Sequence, residues 1–391
     1  MRAPTAAPRS IAVDVARGLA VVGVVFNHTL VGLYLSDVLT VDSPLTTVNG
    51  ALYLFRMASL ALLLGLFVPG GIAKRGTAGY LRARLPLLLW LYLVWHLVQG
   101  VVQIGASGVR NGSTGWADLL RFWVPLAQLW FLPFLAAVTV LLPLLRPWER
   151  SSRGRIALAA TVVLTVLLWG WLPSIAGLHG LALIGFVAVG SAVGLPRMRA
   201  LLDGSPAVWA AAGAAGLALL IAVLQLPVEA GTLDNGGVGL PVQLTSAVGA
   251  AAGVVLLLAA SALLARVPHV SRLLAYLGRH TLEIYLAHIL VVATLRIVLQ
   301  QGLGIDGLAV HLVLAVVLGV GLPLIAAAIA PRLRLGWLFD TPRWLRGLVA
   351  ARSARGSELP ALAAADVDHV PGPVADEDVE RGLRDHVRRE Q

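Results

Sequence analysis

Two residues with chemistry to offer, Arg17 and His28, stand eleven positions apart in the first long apolar stretch. An imidazole can take a proton from a hydroxyl near neutral pH, and a guanidinium can hold a phosphate or a carboxylate. In a helix, eleven residues turn through about 1100°, which leaves about 20° beyond three full turns. Both side chains then share one face, about 16 Å apart along the axis. Asp14 lies near the same face, one turn before Arg17. Plainer roles stay open for both. Arg17 can snorkel to water with Asp14 as its i,i+3 partner, and His28 can be a packing residue bonded to a neighbouring helix.

A second constellation lies far along the chain: Leu277-Gly278-Arg279-His280-Thr281-Leu282-Glu283-Ile284-Tyr285-Leu286-Ala287-His288. Arg279 and Glu283 stand at i,i+4, and His280 and Glu283 at i,i+3, so an internal neutralising pair is the simplest reading. A span this polar should otherwise face a bundle interior or an aqueous cavity. Arg296, further on, either does the same or snorkels outward. Arg82 and Arg84 open another apolar stretch, as topogenic charge or as anion binders. Arg56 sits in a span with no evident local partner. In Leu129-Trp130-Phe131-Leu132-Pro133, Trp130 has the usual character of a membrane-interface anchor. No Gly-rich phosphate loop, metal-spaced His/Glu cluster or Ser elbow occurs.

The elements that must carry these residues are membrane helices. Of 391 residues, 58% are apolar and 13% charged, too few charges to wet a soluble surface. About ten apolar runs are long enough to cross ~30 Å of hydrocarbon. They lie near 11–35, 46–68, 82–104, 126–145, 156–172, 178–195, 206–226, 240–265, 272–299 and 308–330. Pro173 and Gly177 make the fifth and sixth the weakest. The runs are too long for barrel strands, so the fold expected is an all-α polytopic bundle.

Orientation follows the basic residues. Arg2, Arg9, Lys74, Arg75, Arg82, Arg84, Arg146, Arg150, Arg153, Arg155, Arg197, Arg199, Arg266, Arg272, Arg332, Arg334, Arg343 and Arg346 fall on one side. Asp37, Asp42, Asp118, Glu229, Asp234 and Asp306 fall on the other, with Arg110 and Arg121. That bias puts both termini in the cytoplasm. It divides the chain into an N-terminus at 1–10, a transmembrane domain at 11–335 and a charged, Pro-containing cytoplasmic tail at 350–391, expected to be disordered.

The net charge of +10 is scattered between apolar runs, so it reads as topogenic charge and not as a nucleic-acid surface. The first apolar run is too long for a signal-peptide core. With no cysteine, disulfides and thiolate chemistry drop out. One lysine, Lys74, beside abundant Ala, Gly and Arg points to a GC-rich bacterial genome.

At three places the chain resembles the acyltransferase 3 family of integral membrane acyltransferases. Asp14-Val15-Ala16-Arg17-Gly18-Leu19-Ala20, running to His28, is similar to the family's opening pattern, with ten residues between Arg and His. Leu129-Trp130-Phe131-Leu132 and the stretch from Leu277 to His288 are similar to two later motifs. The resemblance spans about residues 9–330. It implies transfer of an acyl group, usually acetyl, from cytoplasmic acyl-CoA to a hydroxyl of an extracytoplasmic or lipid-linked carbohydrate, at the plasma membrane. No metal is implied. Arg17 and His28 match the family's implicated residues, Arg82 and Arg84 its basic pair, and Glu283 its acidic group in the ninth span. His28 would be the base, Arg17, Arg82 and Arg84 the CoA-phosphate ligands, and Glu283 the partner that orients His28. The family's Ser before Gly65 is Leu64 here. A transporter or flippase of a glycolipid or polyprenyl-linked substrate, or an inactive membrane scaffold, are the competing readings.

Overall fold

The computed structural model describes residues 10–107, 115–233 and 238–345. Two compact units divide between Thr341 and Pro342. The expected tail at 350–391 lies outside the described residues, as do Arg2, Arg9, Arg110, Asp234 and Arg346 of the charge bias.

The first unit is helical, with no strand among the described residues. Its α-helices are α1 (Ile11–Tyr34), α2 (Pro44–Gly65), α3 (Val68–Gly105), α4 (Trp116–Leu120), α5 (Phe131–Leu145), α6 (Ser152–Leu167), α7 (Ile184–Leu202), α8 (Pro206–Val223), α9 (Leu240–Leu264), α10 (Pro268–Arg279), α11 (Thr281–Ile297) and α12 (Leu308–Ile329). Among the described residues nine segments are long and apolar enough to cross a membrane, so the chain is a multi-pass membrane protein.

The tenth expected span is α6. Ser151 caps it, accepting from the Gly154 N–H at 3.2 Å, and starts it earlier than the apolar run suggests. It ends at Leu167, where turns take over and Gly170, Gly177 and Gly180 adopt positive φ. Its 16 residues reach about 24 Å, short of the hydrocarbon thickness.

The single span expected at 272–299 is two helices. α10 stops at Arg279, His280 leaves helical geometry (φ −105°, ψ 26°), and α11 starts at Thr281. The Thr281 hydroxyl donates to the Gly278 carbonyl at 2.7 Å across the break. α10 presses its backbone on α1. A Cβ on Gly278 would strike the Asp14 carbonyl oxygen, and one on Gly18 the Leu274 carbonyl oxygen. Small residues of this kind let membrane helices gain van der Waals contact that apolar burial cannot supply in lipid.

α1 is the hub. Ser10 caps it, accepting from the Val13 N–H at 3.4 Å, and α2, α9, α10, α11 and α12 all pack on it. Val15, Ala16 and Val25 are consequently sealed from solvent. The half-buried face that remains carries Arg17 and His28.

Candidate functional site

A cavity of about 400 Å³ runs along that face. Arg17, Val21 and Val24 line it at i, i+4 and i+7. The next position on the same stripe, i+11, is His28. Arg84 enters the cavity from α3, Arg279 from α10, Glu283 and Tyr285 from α11, and Phe131 and Leu132 from α5. Asp14 lies 3.9 Å from Arg17 and 3.7 Å from Arg279, bridging the start of α1 to the end of α10. The Arg17 guanidinium also lies 5.9 Å over the Phe67 ring. Glu283 Oε1 is 3.4 Å from His280 Nδ1. Three guanidiniums thus converge on a recess with two nearby carboxylates: Asp14 pairs with Arg17 and Arg279, and Glu283 meets His280 through Oε1 while its Oε2 finds no hydrogen-bond partner among the described residues. The surplus positive charge suits a polyanion.

A second cavity, of about 310 Å³, takes up the stripe where the first leaves it. His28, Thr29, Gln103, Thr294, Arg296 and His311 give its polar lining. The His28 ring meets the His288 ring at a centroid distance of 5.1 Å. His288 is fully buried, with Nδ1 2.8 Å from the Tyr285 carbonyl and 3.0 Å from that of Ile284. A carbonyl only accepts, so Nδ1 carries the proton and Nε2 is left as a bare acceptor. His288 Nε2 meets no hydrogen-bond partner among the described residues.

Between the cavities, one turn of α11 gathers a seam of polar groups. Tyr285 lines the arginine cavity, and its ring centroid is 6.3 Å from that of His288. Its hydroxyl donates to the Gln128 carbonyl. The Gln99 amide donates to the Leu286 carbonyl at 3.1 Å. Gln128, 4% exposed, has neither end of its side-chain amide partnered among the described residues. From Val24, at the end of the first cavity, to His28 is one helical turn, about 6 Å of rise.

The sequence-predicted residues fall unevenly onto this geometry. Arg17 and Arg84 come together. Arg82 is exposed and does not line the cavity. Glu283 does not orient His28. It lines the arginine cavity, and the neighbour of His28 is His288. His288 follows Glu283 by five positions, a rotation of about 140° beyond a full turn, so α11 points them to different places. The Arg279–Glu283 pair also fails to form, because the helix breaks at His280 and Arg279 turns to Asp14. Arg56 finds company on its own helix, 3.5 Å from Asn49 Oδ1 and 4.0 Å above the Tyr53 ring. Asn49 donates in turn to Asn27 at 3.1 Å. Trp130 is half-buried and stacks on His179 at 4.7 Å.

Sequence reasoning passed over Gln99 and Gln128, and named His288 at the end of a motif without giving it a role. The signal was there: each is a polar side chain in or beside an apolar run, where burial is costly without a purpose or a partner.

A family model described as an acyltransferase domain matches residues 10–329. The chain belongs to the acyltransferase 3 family. Comparisons with curated proteins and with solved structures give no match. The matched region runs from the cap of α1 to the last residue of α12, and so takes in both cavities. Family membership and the membrane-helix bundle together support a membrane acyltransferase.

Proposed function

We propose that the chain moves an acyl group, usually acetyl, from cytoplasmic acyl-CoA to a hydroxyl of an extracytoplasmic or lipid-linked carbohydrate. The observation that carries this reading is the shared stripe on α1. A cationic cavity begins at Arg17 and ends one turn short of a histidine that lines a second cavity. In this reading the N-terminal end of α1 and the arginine cavity face the cytoplasm, following the charge bias. Arg17, Arg84 and Arg279 hold the CoA phosphates, with Arg82 outside at the approach. The pantetheine arm lies along Val21 and Val24, and its reach is comparable to the ~16 Å from Arg17 to His28.

His28 then removes the acceptor's hydroxyl proton. The acceptor oxygen bonds to the thioester carbonyl carbon, and a tetrahedral oxyanion forms. When the C–S bond breaks, the CoA thiolate leaves and takes the proton back from His28 as free thiol. His288 Nε2 accepts from the imidazolium and steadies it. The Gln128 amide, buried and unpartnered, is our candidate donor to the oxyanion. The same groups serve a route through acyl-His28, in which the histidine attacks the thioester before the acceptor arrives.

The test is release of CoA thiol by purified protein in nanodiscs, with envelope glycans as acceptors and His28→Ala beside the wild type. The chain has no cysteine, so it adds no background to a thiol assay. Release that depends on His28 is the expected result. Release unaffected by His28→Ala overturns the mechanism, and failure to bind acyl-CoA overturns the function.

A further inference from the structure

Arg296 belongs to the histidine cavity and has no part in the mechanism above. It stands in the last turn of α11 and is only 7% exposed, so it does not snorkel out to water. Its stem crosses Gly32, where a Cβ would lie 3.9 Å from Arg296 Cδ. Gly32 follows His28 by four residues on the same stripe, so the stem passes about one turn, ~6 Å, beyond the imidazole.

What surrounds this cation matters more than its position. Its side-chain partner is the neutral Oε1 of Gln300 at 3.3 Å, and Gln300 spends its own amide on the Ser36 carbonyl at 3.0 Å. A guanidinium has five N–H donors to satisfy. Among the described residues no carboxylate lies within ion-pair distance of Arg296. The lining of its cavity contains no Asp or Glu. In the other cavity, Arg17 and Arg279 share Asp14. A charge held in an apolar wall without a counter-charge is costly, and a ligand anion would offset that cost. At about 310 Å³ the cavity is of small-molecule size.

We propose that the histidine cavity takes a hydroxylated acceptor that carries an anion, a carboxylate or a phosphate, held by Arg296 beside the hydroxyl that His28 deprotonates. The word acceptor rests on the acyltransferase reading. The anion site does not, and it is testable without turnover.

The experiment is binding to the purified full-length protein in phosphatidylcholine nanodiscs, by calorimetry and by displacement. Octyl glucuronide is compared with octyl glucoside, which carries a neutral hydroxymethyl group in place of the carboxylate. Phosphatidylglycerol is compared with diacylglycerol. At least one anionic probe should bind about 10-fold tighter than its neutral match, the scale of a charge-assisted contact. Preference in the first pair marks an acidic sugar, and in the second a lipid headgroup. Arg296→Gln should bring the preference to near unity, and Arg296→Lys should keep part of it, which separates lost charge from lost fold. No preference in either pair, or a preference that survives Arg296→Gln, overturns the proposal. Intact anion preference in a chain that never consumes acyl-CoA would keep this site and sink the acyltransferase reading.

Discussion

The two cavities on α1 are built to opposite specifications. One collects Arg17, Arg84 and Arg279 around a recess where Asp14 pairs with two of them and Glu283 meets His280. The other is walled mostly by apolar side chains and holds His28 with a single arginine. The first can bind a large polyanion without performing chemistry on it. The second can move a proton but has little charge with which to hold a nucleotide. Their separation by one helical turn teaches how a membrane enzyme can use a donor without moving the whole of it. In the proposed reading charge stays at one end, the thioester reaches the other, and α1 keeps the distance.

Breaking the histidine end should have the largest effect. His28→Ala should lower acyl transfer by about 10³-fold, the scale of a lost general base, with membrane abundance unchanged. Acyl-CoA binding, measured separately, should stay within about 2-fold, because the proposed phosphate ligands are arginines at the other end of the stripe. Equal losses in binding and turnover would show that the two cavities are one site.

Arg17→Ala and Arg84→Ala should act on the other end. Each should raise KM for acyl-CoA by about 10- to 100-fold, the worth of a charge-assisted hydrogen bond, with little change in kcat. Arg82→Ala should move KM far less, since Arg82 does not line the cavity. If all three changes are alike, the phosphates bind at the membrane surface and the cavity is bypassed.

His288→Gln sharpens the comparison from the seam between the cavities. The His288 ring lies 5.1 Å from that of His28, and its Nε2 has no hydrogen-bond partner among the described residues, so in the proposed mechanism it accepts from the His28 imidazolium. Losing it should cost about 10-fold in kcat, as for one buried hydrogen bond, and leave KM for acyl-CoA unmoved. A change in KM without one in kcat would reduce His288 to a packing residue.

Much of this site was legible in the sequence, for reasons that are local. The spacing of Arg17 and His28 fixes a shared face once the segment is a helix, and α1 is continuous from Ile11 to Tyr34. Apolar run lengths mark nine of the ten expected spans. The failures come where a neighbour decides. Nothing in 272–299 announces that α10 ends at Arg279, because the apolar pattern continues through the break. That break redirects Arg279 to Asp14 and takes it from Glu283, 265 positions nearer the N-terminus in one case and four positions away in the other. The pairing of His28 with His288 is likewise tertiary. Only the packing of α11 on α1 brings residues 260 positions apart into ring contact.

The smallest effect expected is at Leu64, where this chain departs from the family pattern it resembles. Leu64 is half-buried and lines the arginine cavity beside Leu60, Leu63 and Phe67. The neighbouring Gly65 keeps its structural duty, because a Cβ there would strike the Val187 carbonyl oxygen of α7. The departure therefore changes the wall of the cavity and not the packing of the bundle. Leu64→Ser removes apolar surface that is only partly buried, so stability should fall by about 1 kcal/mol or less. It also places a hydroxyl on the path from the arginines to Val24. Activity should change by no more than about 3-fold, with the shift in KM for acyl-CoA, because the proposed reacting group, His28, lies at the far end of the stripe. A gain of 10-fold or more in kcat would mean that Leu64 holds the thioester away from His28. The arginine cavity would then govern the chemistry as well as the binding, and the division between the two cavities would no longer hold.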